Sequence, residues 1–197
     1  MLYTLLKPIA KLILYLKFRI EVIGTEHIPH QTPYIVAANH ISNYDPLVLS
    51  CTIMRKIHYM AKVELFRSRF SSCFFTALHA IPIDRHGGNP IRPVRKVLKI
   101  IGDGEIFGIF PEGKRRKNEK EIPPKRGVGY FASKTGIPIL PVAIIFLENK
   151  YRKTIKVIIG PLIYVNDVKV DKSKDTTISL FVMEQIKTLM MLENLNK

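Results

Sequence analysis

The sequence predicts an α/β fold: a single layered domain in which helices flank one sheet, preceded by an N-terminal amphipathic helix. Three observations predict it. Short β-rich runs alternate with helical stretches, 47% of the 197 residues are hydrophobic, and no repeat, linker or shift in composition marks a second domain. Such a chain can bury a core, which excludes a disordered basic tail. We therefore divide it into a helix over residues 1–20 and a domain over residues 21–197.

The first 20 residues combine apolar and basic side chains. Apolar residues recur every three or four positions, as on one face of a helix. Lys7, Lys11, Lys17 and Arg19 interrupt the segment, and its longest charge-free apolar stretch, Leu12–Leu16, is too short to span a bilayer. The pattern suits a helix in a membrane interface, with its basic residues facing anionic head groups, and suits equally a helix packed on the protein's own core.

Seven runs rich in β-branched and aromatic residues, bounded by Gly, Pro, Asn or Asp, are predicted strands. They are Arg19–Ile23, Tyr34–Ala38, Ile57–Met60, Ala80–Ile83, Ile106–Phe110, Ile139–Ile145 and Thr154–Ile159. Helical spacing predicts helices between several of these strands and at the end of the chain. These are Pro46–Arg55, Phe70–Leu78, Pro90–Ile101, Val128–Thr135 and Thr177–Leu192.

The charge balance points to an acidic partner. The chain carries 31 Lys and Arg against 16 Asp and Glu, a formal net charge of +15, which fits nucleic acid, an anionic membrane or a phosphorylated ligand. The densest charge cluster, Glu112 to Arg126, follows the predicted strand Ile106–Phe110, at the kind of position where open α/β sheets bind ligands. Cys51 and Cys73 form no CxxC pair, so we expect a reducing compartment without a zinc site or disulfide framework.

A second polar segment, Ala38 to Pro46, also follows a predicted strand directly. It places His40 five positions before Asp45. If the intervening residues form a turn, the carboxylate can accept from one ring nitrogen and leave the other as a general base. Spacing alone leaves a structural alternative open, in which His40 is an ordinary buried histidine and Asp45 caps the helix that begins near Pro46.

The sequence offers no evident nucleophile for such a base. It contains no GxSxG motif, neither cysteine has an evident partner, and Ser42 lies too close to His40 in sequence. The base would therefore deprotonate a substrate hydroxyl, while the basic loops bind a phosphate on that substrate. The histidines outside this motif do not form a convincing metal set, so we expect no metal.

Asn39-His40-x4-Asp45 resembles the NHx4D motif of the glycerophospholipid acyltransferases, in particular the bacterial 1-acylglycerol-3-phosphate acyltransferases (PlsC-like). Three further blocks match in the family's order: Ala80–Arg85, Phe110–Arg115 and Gly136–Val142. The stretch Ala61–Phe66 fits the segment that the family carries between its first and second blocks. The resemblance runs from about residue 24 to residue 161 and implies a mixed, mostly parallel sheet.

The resemblance also implies a role for each matched residue. His40 would be the general base and Asp45 would orient it. The implied substrate-binding residues are Asn39, Lys62, Arg85, Glu112, Gly113 and Arg115. Among these, Arg85 and Arg115 would hold the acceptor's phosphate. Lys114 and Arg116 depart from the family's pattern, which has Thr and Ser there, and the extra cations would favour a more anionic or bulkier head group.

The implied function is transfer of a fatty acyl group from acyl-carrier protein or acyl-CoA to the sn-2 hydroxyl of 1-acyl-sn-glycerol 3-phosphate (lysophosphatidic acid), forming phosphatidic acid. The expected partners are those two substrates and an anionic membrane surface, with no nucleic acid and no cofactor. The expected location is the cytoplasmic face of the membrane, as a peripheral protein. Three alternatives remain: another lysolipid acceptor, a lipid hydrolase or thioesterase, and a basic nucleic-acid-binding protein.

Overall fold

The computed structural model describes residues 2–84, 91–116, 122–148, 152–168 and 174–195. Within these ranges the strands are β1 Arg19–Ile23, β2 Ile35–Ala38, β3 Ile57–Lys62, β4 Ala80–Ile83, β5 Ile106–Ile109, β6 Ile139–Leu147 and β7 Thr154–Ile159. The α-helices are α1 Leu2–Lys17, α2 Asp45–Thr52, α3 Arg69–Ala77, α4 Ile91–Gly102, α5 Gly127–Thr135 and α6 Lys174–Leu195. Every predicted strand and helix is therefore present: β1, β4 and β7 have the predicted bounds, and the other elements have shifted ends.

The ends that shift are explained by tertiary contacts. The first helix stops at Lys17 because Arg19 and Ile20 pair with β7 in the sheet. The predicted helix Pro46–Arg55 ends at Thr52, and the Arg55 side chain instead donates to the backbone oxygens of two loop residues. Helix ends are thus set by contacts distant in sequence, which spacing does not reveal.

The strands form one mixed sheet in the order β1-β7-β6-β2-β5-β3-β4. The five strands from β6 to β4 are mutually parallel, whereas β7 is antiparallel to β6 and β1 is parallel to β7. The prediction of a mixed, mostly parallel sheet is therefore confirmed. The parallel strands bring their carboxyl ends to a single edge of the sheet, the carboxyl edge.

Helices cover both faces of the sheet, as its continuous apolar strands require. Along β2, Ile35 and Ala37 belong to one buried cluster and Val36 to the other, so the strand is buried on both sides. The first cluster includes residues of α4, α5 and α6, and the second includes residues of α1 and α2. Right-handed crossovers between parallel strands place α3 on the same face as α2.

Helix α1 packs through a face that includes lysines. Tyr3 and Leu14 are buried, and Lys7 donates from Nζ to the backbone oxygens of Ile53 and Met54 at 2.7 and 2.8 Å. Lys17 donates to the Tyr44 hydroxyl at 2.6 Å. These two lysines therefore bind the domain, which contradicts the expectation that they face head groups.

The opposite side of α1 is an exposed apolar stripe. Its members are Leu2, Leu5, Ile9, Leu12, Ile13 and Leu16, of which Leu16 is 74% exposed. The alternative in which α1 packs on the protein's own core is thus confirmed for its buried side, and the location of the exposed stripe in a membrane interface stays a prediction. Among the described residues, no helix has both the length and the apolar character needed to cross a bilayer.

Candidate active site

The candidate site lies at the carboxyl edge, where β2 and β5 end side by side. These strands pair in parallel register, with Ala37 opposite Ile109. His40 therefore emerges two residues beyond β2, next to the loop that begins with Phe110 after β5. Two polar segments that are 70 residues apart in sequence become neighbours in this way.

A tight turn joins His40 to Asp45. Oδ2 of Asp45 accepts from the His40 ring Nδ1 at 2.8 Å, from the Ile41 amide at 2.7 Å and from the Ser42 amide at 2.8 Å. The carboxylate is fully buried. Asp45 does not cap α2: Tyr44 occupies the N-cap position, and no side chain bonds there. The structural alternative of a capping aspartate is therefore wrong.

This geometry orients the imidazole as a base. An ionised carboxylate only accepts hydrogen bonds, so the proton sits on Nδ1 and the Nε2 lone pair remains. The His40 side chain is 17% exposed, and within the described part of the chain Nε2 has no hydrogen-bond partner. A hydroxyl that approaches the carboxyl edge can therefore give its proton to this nitrogen.

Stacked aromatic rings support the imidazole from below. Phe110 lies nearly parallel to the His40 ring, with centroids 4.2 Å apart and planes 19° apart, and Tyr59 stacks on Phe110 at 5.9 Å and 12°. Burial raises the pKa of the Tyr59 hydroxyl well above its usual value. Gly108 makes room for this column, because a Cβ there would lie 2.2 Å from the Tyr59 ring.

The loop after β5 is bonded to the turn between His40 and Asp45. The Arg116 amide donates to the His40 backbone oxygen at 2.8 Å, and Arg115 donates to the side-chain oxygen of Asn43. Gly113 adopts a left-handed conformation (φ +68°) that lets its amide bond back to Phe110, at 2.9 Å. The predicted phosphate ligand Arg115 therefore lies beside the His40 turn.

Glu112 forms a buried ion pair with Arg116. Its side chain is fully buried, and the Arg116 guanidinium donates to Oε1 at 2.9 Å. The other carboxylate oxygen, Oε2, is buried with no protein partner in the described structure. The Arg116 guanidinium is thus engaged inside the protein, which removes it from the extra cations expected to face an acceptor head group.

The prediction that Asn39 binds the substrate is wrong. Its side chain is fully buried, and both ends of its amide bond to the Ile144 backbone in β6: Nδ2 donates at 2.8 Å and Oδ1 accepts at 2.7 Å. An amide used in this way offers nothing to a substrate. Asn39 fixes the end of β2 against β6 and so holds the backbone from which His40 projects.

Two predicted substrate-binding residues remain, Lys62 and Arg85. Lys62 is exposed and ends β3 at the carboxyl edge, paired in register with Ile83. Arg85 lies outside the described residues. Sequence reasoning missed the aromatic column and the Glu112–Arg116 pair. The column could have been noticed from Phe110 inside the third motif, whereas the ion pair gave no separate signal.

The chain is similar in sequence to known acyltransferases. The family model described as Acyltransferase matches residues 19–145. The chain is 33% identical over 143 residues to 1-acyl-sn-glycerol-3-phosphate acyltransferase of Bacillus subtilis (strain 168), covering 72% of this chain and 70% of the relative. It is 30% identical over 166 residues to the protein of that name in Borreliella burgdorferi, covering 83% and 66%.

Among solved structures, the 1-acyl-sn-glycerophosphate (LPA) acyltransferase PlsC from Thermotoga maritima has the same fold. The TM-score is 0.78 at 22% sequence identity, and the match covers 97% of this chain and 79% of that chain. At this identity the match supports the fold alone, which is one mixed sheet with flanking helices and an N-terminal helix.

Proposed function

The chain belongs to the acyltransferase family, and we propose that it transfers a fatty acyl group to the sn-2 hydroxyl of 1-acyl-sn-glycerol 3-phosphate, forming phosphatidic acid. The observation that carries this proposal is the His40–Asp45 pair, with Nδ1 bonded to a buried carboxylate at 2.8 Å. Two relatives that bear the name of this activity align over most of the chain. The acyl donor is a thioester of acyl-carrier protein or coenzyme A, and no cofactor is needed.

The reaction balances around one proton. His40 Nε2 takes the proton of the acceptor hydroxyl as its oxygen bonds to the thioester carbonyl carbon. The carbon–sulfur bond then breaks, and the thiolate leaves with the proton from the imidazolium. Asp45 stabilises the imidazolium between these steps. General-base catalysis contributes about 10²–10⁴-fold, so positioning of the two substrates supplies much of the remainder.

Cations at the carboxyl edge would hold the acceptor phosphate. Arg115 suits this role because a planar guanidinium binds two phosphate oxygens at once. It lies beside the catalytic turn through its bond to Asn43, so a phosphate there places the glycerol near His40. Lys62 would add a point charge from the end of β3, and Arg85 would join them from the second motif.

A membrane surface would supply this acceptor, whose acyl chain is insoluble in water. The exposed apolar stripe of α1 supports a peripheral location with this helix in the interface. We propose the cytoplasmic face, where the acyl donors are made. Leu12→Ser with Leu16→Ser should release the protein from anionic vesicles in a co-sedimentation assay, whereas Leu180→Ser on α6 should not. Undiminished binding of the double variant would mean that a surface other than the α1 stripe binds the vesicles.

The catalytic proposal is tested by acyl transfer to a panel of lysophospholipids with each donor in turn. His40→Ala should lower kcat by about 10²–10⁴-fold, and His30→Ala, at an exposed position, is the matched control. Preference for another acceptor would replace the proposed substrate. Release of free fatty acid without an acceptor would indicate a hydrolase.

A further inference from the structure

A second exposed apolar surface lies beside the site, at the start of α3 and in the 3₁₀ turn Val63–Phe66 before it. We call it the α3 patch. Its apolar members are Val63 (40% exposed), Leu65 (43%), Phe70 (84%) and Phe74 (36%). Exposed Lys62, Arg67 and Arg69 surround them, and Glu64 is the single acidic residue from 62 to 74.

The local structure holds the patch outward. Ser68 and Ser71 form a capping box that fixes the first turn of α3. Phe70, Cys73 and Phe74 then share one side of the helix, while Phe75 turns inward against Phe66 with ring centroids 5.7 Å apart. No residue of α3 is buried. A helix that buries none of its side chains and presents Phe70 to solvent forms an exposed apolar surface of the kind that binds a partner.

The position of the patch relates it to the site and to α1. It begins where β3 ends at the carboxyl edge, and β3 is paired with β5, from which Phe110 reaches His40. The far end of α3 leads to His79, whose ring contacts Tyr3 of α1 at 5.4 Å. The segment after α3 thus contacts the start of α1 at the opposite edge of the sheet, and the two helices lie on the same face.

We propose that the α3 patch is a second membrane-contacting surface, with Phe70 inserted among lipids and the surrounding cations on anionic head groups. This rests on the proposed function, in which the acceptor is a membrane lipid. Aromatic and aliphatic side chains flanked by Arg and Lys are the composition that binds an anionic interface. With α1 as the first contact, the second would turn the carboxyl edge and His40 toward the lipid surface.

The absence of tryptophan from the chain permits a direct test. A Phe70→Trp variant carries a single indole, whose emission should shift to the blue on adding vesicles of two parts phosphatidylcholine to one part phosphatidylglycerol. Brominated lipid should quench it. Leu180→Trp, at a 53% exposed position on α6, is the matched control and should not respond. An unshifted, unquenched indole at position 70, with the protein bound to vesicles, overturns the inference.

Binding measurements give a second readout. Phe70→Ser with Phe74→Ser should weaken vesicle binding about tenfold or more, and Arg67→Gln with Arg69→Gln should weaken it only when the vesicles are anionic. Lys134→Gln with Lys174→Gln, both exposed and outside the patch, is the charge control. Unchanged binding by the Phe70 and Phe74 double variant contradicts the proposal.

Fluorescence of the Phe70→Trp variant also distinguishes the other possible partners of the α3 patch. A blue shift on adding acyl-carrier protein without vesicles would assign the patch to the donor, and a shift that grows with protein concentration alone would assign it to a second copy; either overturns the membrane proposal. The fluorescence assay requires no catalysis. Lipid insertion by a protein that transfers no acyl group would therefore refute the proposed function and leave this inference standing.

Discussion

Replacing Asp45 by Asn should remove the negative charge beside His40 and keep the hydrogen bonds that orient its ring. The carboxylate oxygen Oδ2 accepts from His40 Nδ1 and from two backbone amides, all within 2.8 Å, whereas Oδ1 is buried and has no partner among the described residues. Two backbone amides fix an oxygen at the Oδ2 position, so the Asn side chain should place its NH₂ at the Oδ1 position. The imidazole then keeps its orientation, and the negative charge is lost.

The size of the effect follows from that charge. At a separation of about 4 Å and an effective dielectric constant of about 20, an imidazolium and a carboxylate attract by about 4 kcal/mol. A hydrogen bond to the neutral amide oxygen retains about 1 kcal/mol of this. A net loss of about 3 kcal/mol in the transition state corresponds to a fall of about 10²-fold in kcat. The acceptor's KM should stay constant, because the phosphate-binding residues are untouched.

Asp45→Ala is the contrasting variant. It leaves the two part-buried backbone amides of Ile41 and Ser42 without an acceptor, at up to about 1–3 kcal/mol each, so its urea midpoint should fall as well as its kcat. The assay follows thiol release from acyl-CoA at several acceptor concentrations, with urea unfolding measured in parallel. The reasoning is refuted if Asp45→Asn retains kcat within about threefold, or if its loss appears in KM alone.

Three further predictions concern packing and titration. Gly108→Ala should force the Tyr59 ring out of the stack below His40 and so lower both kcat and the unfolding temperature. Gly102→Ala, whose added Cβ meets nothing within 4 Å, should lower neither. A stable, active Gly108 variant would contradict the stack's role. Arg116→Ser should destabilise the fold by about 3 kcal/mol because the buried Glu112 loses its partner, and adding Glu112→Gln should recover much of that in urea unfolding; additive losses would oppose the pairing. Burial, with His79 beside it, lowers the pKa of His58 to about 4. Since the folded-state pKa lies below the unfolded value of about 6.5, the wild type should lose about 2–3 kcal/mol as the pH falls from about 6.5 to 4. His58→Gln should flatten that slope in unfolding measured at several pH values, and an equally steep profile would exclude His58 as its source.

The sequence was most informative where structure is local. The seven strands follow from runs of β-branched residues between turn formers, and the parallel arrangement follows from helices between them. The dyad was accessible for the same reason, since His40 and Asp45 are five residues apart and one turn closes the distance. The order of the strands was not predicted, because β6 reaches β2 and β7 reaches β1 through pairings more than 100 residues apart.

The wrong expectations involve polar side chains whose partners lie far along the chain. Asn39 was expected at the substrate and instead bonds to Ile144, 105 residues away. Arg116 was counted among the cations for a head group and instead pairs with Glu112. A polar residue within a motif can bind the ligand or the protein backbone, and which of the two it binds depends on the strand that lies next to it.

The same distinction changes the meaning of the net charge of +15. Lys7 and Lys17 bind α1 to the domain, and Arg116 neutralises a buried carboxylate, so these cations are not available to an acidic partner. Lys17 bonds to Tyr44, the residue directly before Asp45. The end of the apolar helix is therefore attached to the catalytic turn itself. In the proposed membrane-bound state, a force that holds α1 in the lipid interface would therefore act on the orientation of that turn and so on the position of His40.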